Sequence, residues 1–196
     1  MARRSSPDAR ERILRAAARL FGTYGVHAVG LQQVIDEAGC GKSLLYREFG
    51  SKDDLVVAHL RRYRENWADL IEAAGREAGG DPARQLVAIV RSVAERATAP
   101  GYTGCPVHKA YSEFPDKGHP VYLASVAHFE MTRTLLRGIA ERAGAADPSA
   151  LAARLMLIID GLSMNATALG TPEAAVLAAT SFAEDTVRTA RAREAA

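Results

Sequence analysis

Three sets of residues in this chain have types and spacings that can do chemistry. Gly41-Lys42-Ser43 has the form of the tail of a phosphate-cradling loop, whose backbone N–H groups and lysine hold a nucleotide. That loop needs glycine at position 36 and a buried strand before it. Here position 36 is aspartate, and Leu31 to Ala38 repeats its apolar residues at helical spacing, so nucleotide hydrolysis is not expected. Cys105 and His108 stand three apart, with His119 and His128 farther along. A metal needs three or four converging ligands, and this spacing forms no recognised cluster. Cys105 reads as a small apolar residue at a helix start, with thiol or metal sensing as the competing role. Asp160 interrupts an apolar helix, where it either orients a ligand or bonds a neighbouring helix. No nucleophile, base and orienting group stand together, and no cofactor fingerprint is present, so the chain is read as a non-enzyme needing neither cofactor nor metal.

The elements that must position these residues are helices. Ala and Leu are abundant and no strand pattern stands out. A polar arm over residues 1–9 leads, with Asp8 as cap, into a helix carrying Ile13, Ala17, Leu20 and Phe21 on one face. Gly22 to Gly25 ends it. Short helices fit Leu31 to Ala38 and Lys42 to Phe49, parted by Gly39-Cys40-Gly41, where Cys40 fills a turn that takes a small apolar residue. A basic helix followed by two short helices and a glycine-containing turn is a helix-turn-helix pattern. A long helix runs from Ser51 to about Ala74. Others fit Pro82 to Thr98, Pro106 to Phe114, about His119 to Ala143, Pro148 to Leu169 and Pro172 to about Ala192, several opened by an Asp-Pro or Thr-Pro pair. The expected fold is all-α with about nine helices.

A length of 196 residues with 48% hydrophobic content suits one DNA-reading module plus one regulatory domain. The expected boundary separates residues 1–52, a helix-turn-helix domain, from residues 53–196, an effector-binding and dimerisation domain. Charge divides the same way. The first 52 residues carry nine Lys/Arg against five Asp/Glu, and the remainder 16 against 18, so the basic surplus lies where phosphates would be met. Leu155 to Ile159 is stopped by Asp160, far short of the roughly 20 apolar residues of a membrane span. There is no secretory signal and no disulfide framework, so a cytoplasmic location is expected.

On the second short helix of the pair, Leu45 and Phe49 point inward. Lys42, Ser43, Leu44, Tyr46 and Arg47 are left for DNA. Lys42 can donate to guanine or phosphate, and Leu44 can meet a thymine methyl. Gln32 carries the amide that suits adenine or the backbone, and Lys52 stands ready for a phosphate.

Residues 10–56 resemble the DNA-binding domain of the tetracycline-repressor (TetR) family. The resemblance is carried by R-L-F-G-T-Y-G, L-Q-Q-V-I-D-E-A-G and G-C-G-K-S-L-L-Y-R-E-F-G-S-K-D-D-L. It implies a phosphate bond from the Tyr46 hydroxyl. Two positions depart from the family pattern. Gly30 stands where Ser or Thr usually opens the second helix, and Gly41 where a polar residue precedes Lys42, removing hydroxyls that often touch phosphate. The tract G-C-P-V-H-K-A-Y-S-E-F-P-D, with H-P-V and L-I-I-D-G after it, loosely resembles a subgroup of antibiotic-resistance and flavonoid-responsive repressors.

The remaining aromatic and apolar residues suggest a ligand lining from Trp67, His108, Tyr111, Phe114, His128, Phe129, Asp160 and Met164. Leu151, Leu155, Ile158 and Leu162, followed by Val176, Leu177 and Phe182, suggest a dimer surface built as a four-helix bundle. The expectation is a homodimeric repressor, released from a palindromic double-stranded operator by a small, mostly apolar effector. A helical small-molecule-binding enzyme with a vestigial DNA-binding domain is the alternative.

Overall fold

The computed structural model describes residues 7–168 and 172–192. Among these residues there are nine helices and no strand: α1 (Pro7–Tyr24), α2 (Leu31–Ala38), α3 (Lys42–Glu48), α4 (Lys52–Glu77), α5 (Pro82–Thr98), α6 (Pro106–Glu113), α7 (Pro120–Arg142), α8 (Pro148–Ala168) and α9 (Pro172–Ala192). No helix among them is long and apolar enough to cross a membrane. The expected last residue of α8, Leu169, lies outside the described residues.

The helix ends follow from local chemistry. Asp81 caps α5 by accepting from Ala83 N at 2.8 Å and Arg84 N at 3.3 Å, with Pro82 in the first turn. The bonds from the Arg84 and Ala83 N–H groups hold the Asp81 carboxyl below its usual range. Gly39 is left-handed (φ 57°) and closes α2. Its N–H bonds Asp36 O at 3.2 Å while Cys40 N–H bonds Ile35 O at 3.1 Å, a Schellman closure that glycine adopts without strain. One cap differs from expectation. Helix α1 starts at Pro7, so Asp8 lies in its first turn, where its carboxylate accepts from Arg12 Nη1 at 2.8 Å.

The chain forms two compact units, and the division falls inside α4 and inside α7. Of the described residues, the first comprises those up to Arg64 with Pro106–Ala127, and the second Glu65–Cys105 with those from His128 on. The first unit therefore takes in α6 and reaches past residue 52. Its core includes Ile13, Ala17, Val34, Leu45, Phe49, Leu55 and Leu60. His59 is buried there edge-on to Phe21, at 6.0 Å between ring centroids. Burial, with Arg62 nearby, depresses its pKa to about 4.

In the second unit, α5 packs on both α8 and α9, and these pack on each other. Leu86, Ile89, Val90, Leu136, Leu151, Leu155 and Ile159 fill the centre. This corrects part of the expected dimer surface. Leu151, Leu155 and Leu162 are buried in the core of the single chain, because α8 turns that edge toward α5 and α9. The outer side of α8 carries Leu157 and Met164 instead, 73% and 64% exposed.

Candidate nucleic-acid interface

The helix α3 is seven residues long and cannot stand alone, so its neighbours fix it. Leu45 and Phe49 anchor it in the core. Phe49 N–H bonds Leu45 O at 2.8 Å and ends the helix. From α1, the Arg10 guanidinium lies 4.3 Å above the Phe49 ring and donates to Glu48 O at 2.7 Å. Arg19 Nε donates to Glu37 at 2.6 Å and ties α1 to α2.

What is left outward is the expected set. Lys42, Ser43, Tyr46 and Arg47 are exposed, while Leu44 and Lys52 are half-buried. Lys42 Nζ stands 5.9 Å from the Tyr46 ring centroid, so cation and phenol occupy one edge of the helix. Ser51 caps α4, accepting from Asp54 N at 3.0 Å and donating to its carboxylate at 2.7 Å, which places Lys52 in the first turn. Gln32 is exposed, but its amide nitrogen donates to Asp36 at 2.7 Å. One of its two amide N–H donors is thereby taken, and the other stays with the carbonyl for DNA. At Gly30 no side chain caps α2, and only the reciprocal half of a capping box is made, with Gln33 Oε1 accepting the Gly30 N–H at 2.7 Å. Gly41-Lys42-Ser43 joins two helices with no strand before it, which is not the setting of a nucleotide loop. Burial raises the Cys40 thiol pKa.

Sequence reasoning missed the residues that hold this module from behind. The Glu113 carboxylate, at the end of α6, accepts from Val26 N at 2.8 Å and His27 N at 2.5 Å, and His27 Nε2 lies 2.8 Å from Glu113 O. Lys109 Nζ donates to Gly22 O at 2.5 Å. The rings of His27, Phe114 and His119 then stack in a column, 4.6 Å between successive centroids, and His119 Nε2 reaches Asp53 at 3.2 Å. The loop before α2 and the first turn of α4, which flank the reading helices, thus rest on the α6–α7 corner. The subgroup-like tract around Glu113 contains these residues, but nothing in its spacing names partners 86 residues away.

The expected ligand lining divides between the units. His108, Tyr111 and Phe114 belong to the first, where Phe114 is inside the ring column and Tyr111 is exposed with its ring 5.2 Å from that of Tyr122. In the second, Trp67 and His128 are buried edge to face at 6.0 Å, with Phe129 beside them. Asp160 is half-buried, and Met164 faces outward with the surface of α8. Among the described residues no three metal-ligating side chains converge.

The outer sides of α8 and α9 enclose a groove of about 690 Å³, lined by Leu157, Ile158, Gly161, Ala178 and Phe182, among others. Leu177 and Phe182 are exposed and Val176 is half-buried.

Residues 13–59 match the model of the bacterial regulatory proteins of the tetR family. The chain is 31% identical to a TetR-type regulator from Streptomyces avermitilis, sav143, covering 87% of this chain and 97% of that one with a TM-score of 0.69. The chain belongs to the TetR family. A TetR-family transcriptional regulator from Streptomyces coelicolor, SCO4454, superposes with a TM-score of 0.88 at 29% identity, over 94% of this chain and 96% of that one. The HTH-type transcriptional regulator LmrA of Bacillus subtilis is 33% identical over 120 residues, 58% of this chain and 61% of LmrA. The TetR-family chain described here therefore spans less than two thirds of that curated relative. TetR-family proteins are transcriptional regulators and not enzymes.

Proposed function

We propose that this TetR-family protein is a homodimeric repressor that leaves a palindromic operator when a small, mostly apolar molecule binds its second unit. The observation that carries the reading is the outward face of α3, where Lys42, Ser43, Tyr46 and Arg47 stand free of the core that Leu45 and Phe49 anchor. Such a helix fits the major groove, its polar side chains reaching base edges and the flanking Tyr46 and Lys52 reaching phosphates. A dimer supplies two such helices for the two half-sites. The exposed Leu157, Leu177 and Phe182 on α8 and α9, with half-buried Ile158, supply the surface for it in place of Leu151, Leu155 and Leu162.

Effector binding shifts the protein toward a conformation that fits DNA less well, by no more than the effector's differential affinity for the two. The apolar interior around Trp67, His128 and Phe129 favours an apolar guest.

The test is fluorescence anisotropy with DNA from upstream of the protein's own gene, joined to a transcription reporter. Salt-sensitive binding to a two-fold site, reporter repression, and release by planar aromatics are expected. Reporter activation would overturn the repressor assignment. Release only by a metal ion or a highly charged metabolite would overturn the apolar effector. Phe182→Glu should give folded monomers by analytical ultracentrifugation, and an unchanged dimer would move the interface elsewhere.

A further inference from the structure

Buried hydroxyls in the helices of the second unit follow one habit. Ser163 donates to Ile159 O at 3.0 Å and Thr186 to Phe182 O at 2.7 Å, each four residues back. Thr132 breaks the habit. Its Oγ1 is buried and has no hydrogen-bond partner, although the carbonyl of His128 stands four residues back on α7. The Nε1 of Trp67, on α4, is likewise buried and has no hydrogen-bond partner. The two belong together. The Trp67 and His128 rings meet at 6.0 Å, and Thr132 lies one turn beyond His128 on the same face of α7. Trp67 is 3% exposed and Thr132 5%, so solvent does not complete either of them.

Buried polar groups in native proteins are almost always hydrogen-bonded, and an orphan marks a partner not supplied by the chain. We infer that the effector is a neutral molecule bearing a hydrogen-bond acceptor, a carbonyl or similar oxygen, which it places against Trp67 Nε1–H beside the Thr132 hydroxyl. The inference rests on the effector reading above and adds the chemistry of the contact. An indole N–H donates and never accepts, so its partner must be an acceptor. No Asp, Glu, Lys or Arg described in the second unit is buried, so an ionised guest there would find no buried counter-charge. The guest enters by parting α4 from α7. Met131, half-buried beside Thr132 and packed against the core, is the side chain best able to re-pack around it.

The chain has one tryptophan, so its ¹H–¹⁵N spectrum carries a single indole resonance. Two probes of one outline, 9-fluorenone with a carbonyl and fluorene without it, separate the hydrogen bond from apolar burial. Fluorenone should move the indole proton downfield, and fluorene should not. Trp67→Phe should bind fluorene as wild type does and fluorenone about tenfold more weakly, the effect of one lost hydrogen bond. Thr132→Val should weaken fluorenone alone, by less. If both probes bind equally and the indole resonance shows no downfield move, the acceptor inference is overturned and the apolar effector survives. If neither probe binds a protein that still holds its operator, the effector reading falls with it.

Discussion

The outer face of α3 and the outer faces of α8 and α9 are both left open in a single chain, and they are built oppositely. Helix α3 presents an ammonium, a hydroxyl, a phenol and a guanidinium, groups that water already satisfies. Helices α8 and α9 present Leu157, Met164, Leu177 and Phe182, which water does not. Covering one such large apolar side chain contributes about 1.5–3 kcal/mol. The first face can therefore wait in solvent for a charged partner, while the second favours a permanent apolar one. Their supports differ too. Ion pairs, caps and backbone acceptors join the apolar anchors Leu45 and Phe49 in holding the reading helices, whereas close-packed aliphatic side chains hold α8 and α9.

The sharpest way to break this contrast is on α8, where the buried and open sides are two residues apart. Leu155→Ala should cost about 3 kcal/mol in urea unfolding, since it empties a fully buried site. Leu157→Ala, tested in a Phe182→Glu monomer, should change stability by less than about 0.5 kcal/mol. Equal costs would mean that α8 is rotated from the orientation described.

Acid should act on the first unit more than the second. His59 has a pKa of about 4 in the fold against 6.5 unfolded. Between those values the unfolded chain binds the extra proton. Stability is thus complete above pH 6.5 and falls as pH drops toward 4, by on the order of 3 kcal/mol. His59→Leu should flatten melting temperature against pH across that window, and a slope that persists would place the acid sensitivity elsewhere.

A smaller effect is expected behind the reading helices. Glu113→Gln keeps the shape but turns one oxygen into a donor facing Val26 N–H or His27 N–H, leaving one of them unsatisfied. The expected loss is about 1–2 kcal/mol by thermal melting, with weaker operator binding and an unchanged dimer. The smallest belongs to Lys52→Ala, which should leave the fold intact and lower the slope of log affinity against log salt by about one. Loss of base selectivity instead would make Lys52 a reader, not a phosphate anchor.

The helix boundaries were legible because they are written locally. Asp81-Pro82, Gly39 and Ser51 act within three or four residues of themselves, and α5 and α9 run as their sequences predict. The outward set on α3 was legible for a related reason, since Leu45 and Phe49 fix which way a short helix turns. On α8 the same logic failed. Apolar residues surround most of its circumference, so sequence alone could not tell Leu155, which faces α5 and α9, from Leu157, which faces out. The expected ligand lining is divided between the two units, and Phe114 lies in the first against His27, far away in the chain. Asp8 shows the limit of the local rule itself: with Pro7 already helical, the capping residue type stands inside the first turn, past the position that caps.

Gly25 adopts φ 83°, and a methyl group added there would lie 2.9 Å from Glu113 Oε1. Gly39 is also left-handed, yet nothing stands within 4 Å of the corresponding position. The two glycines are alike to the backbone and unlike to their surroundings. In a saturation library sorted for operator binding, position 39 should keep asparagine among its survivors, because Asn tolerates the left-handed region and has room there. Position 25 should keep glycine alone: every other side chain pushes away the carboxylate that ties the loop, so the pattern of tolerated letters at two similar turns would map a bond from α6 that neither turn contains.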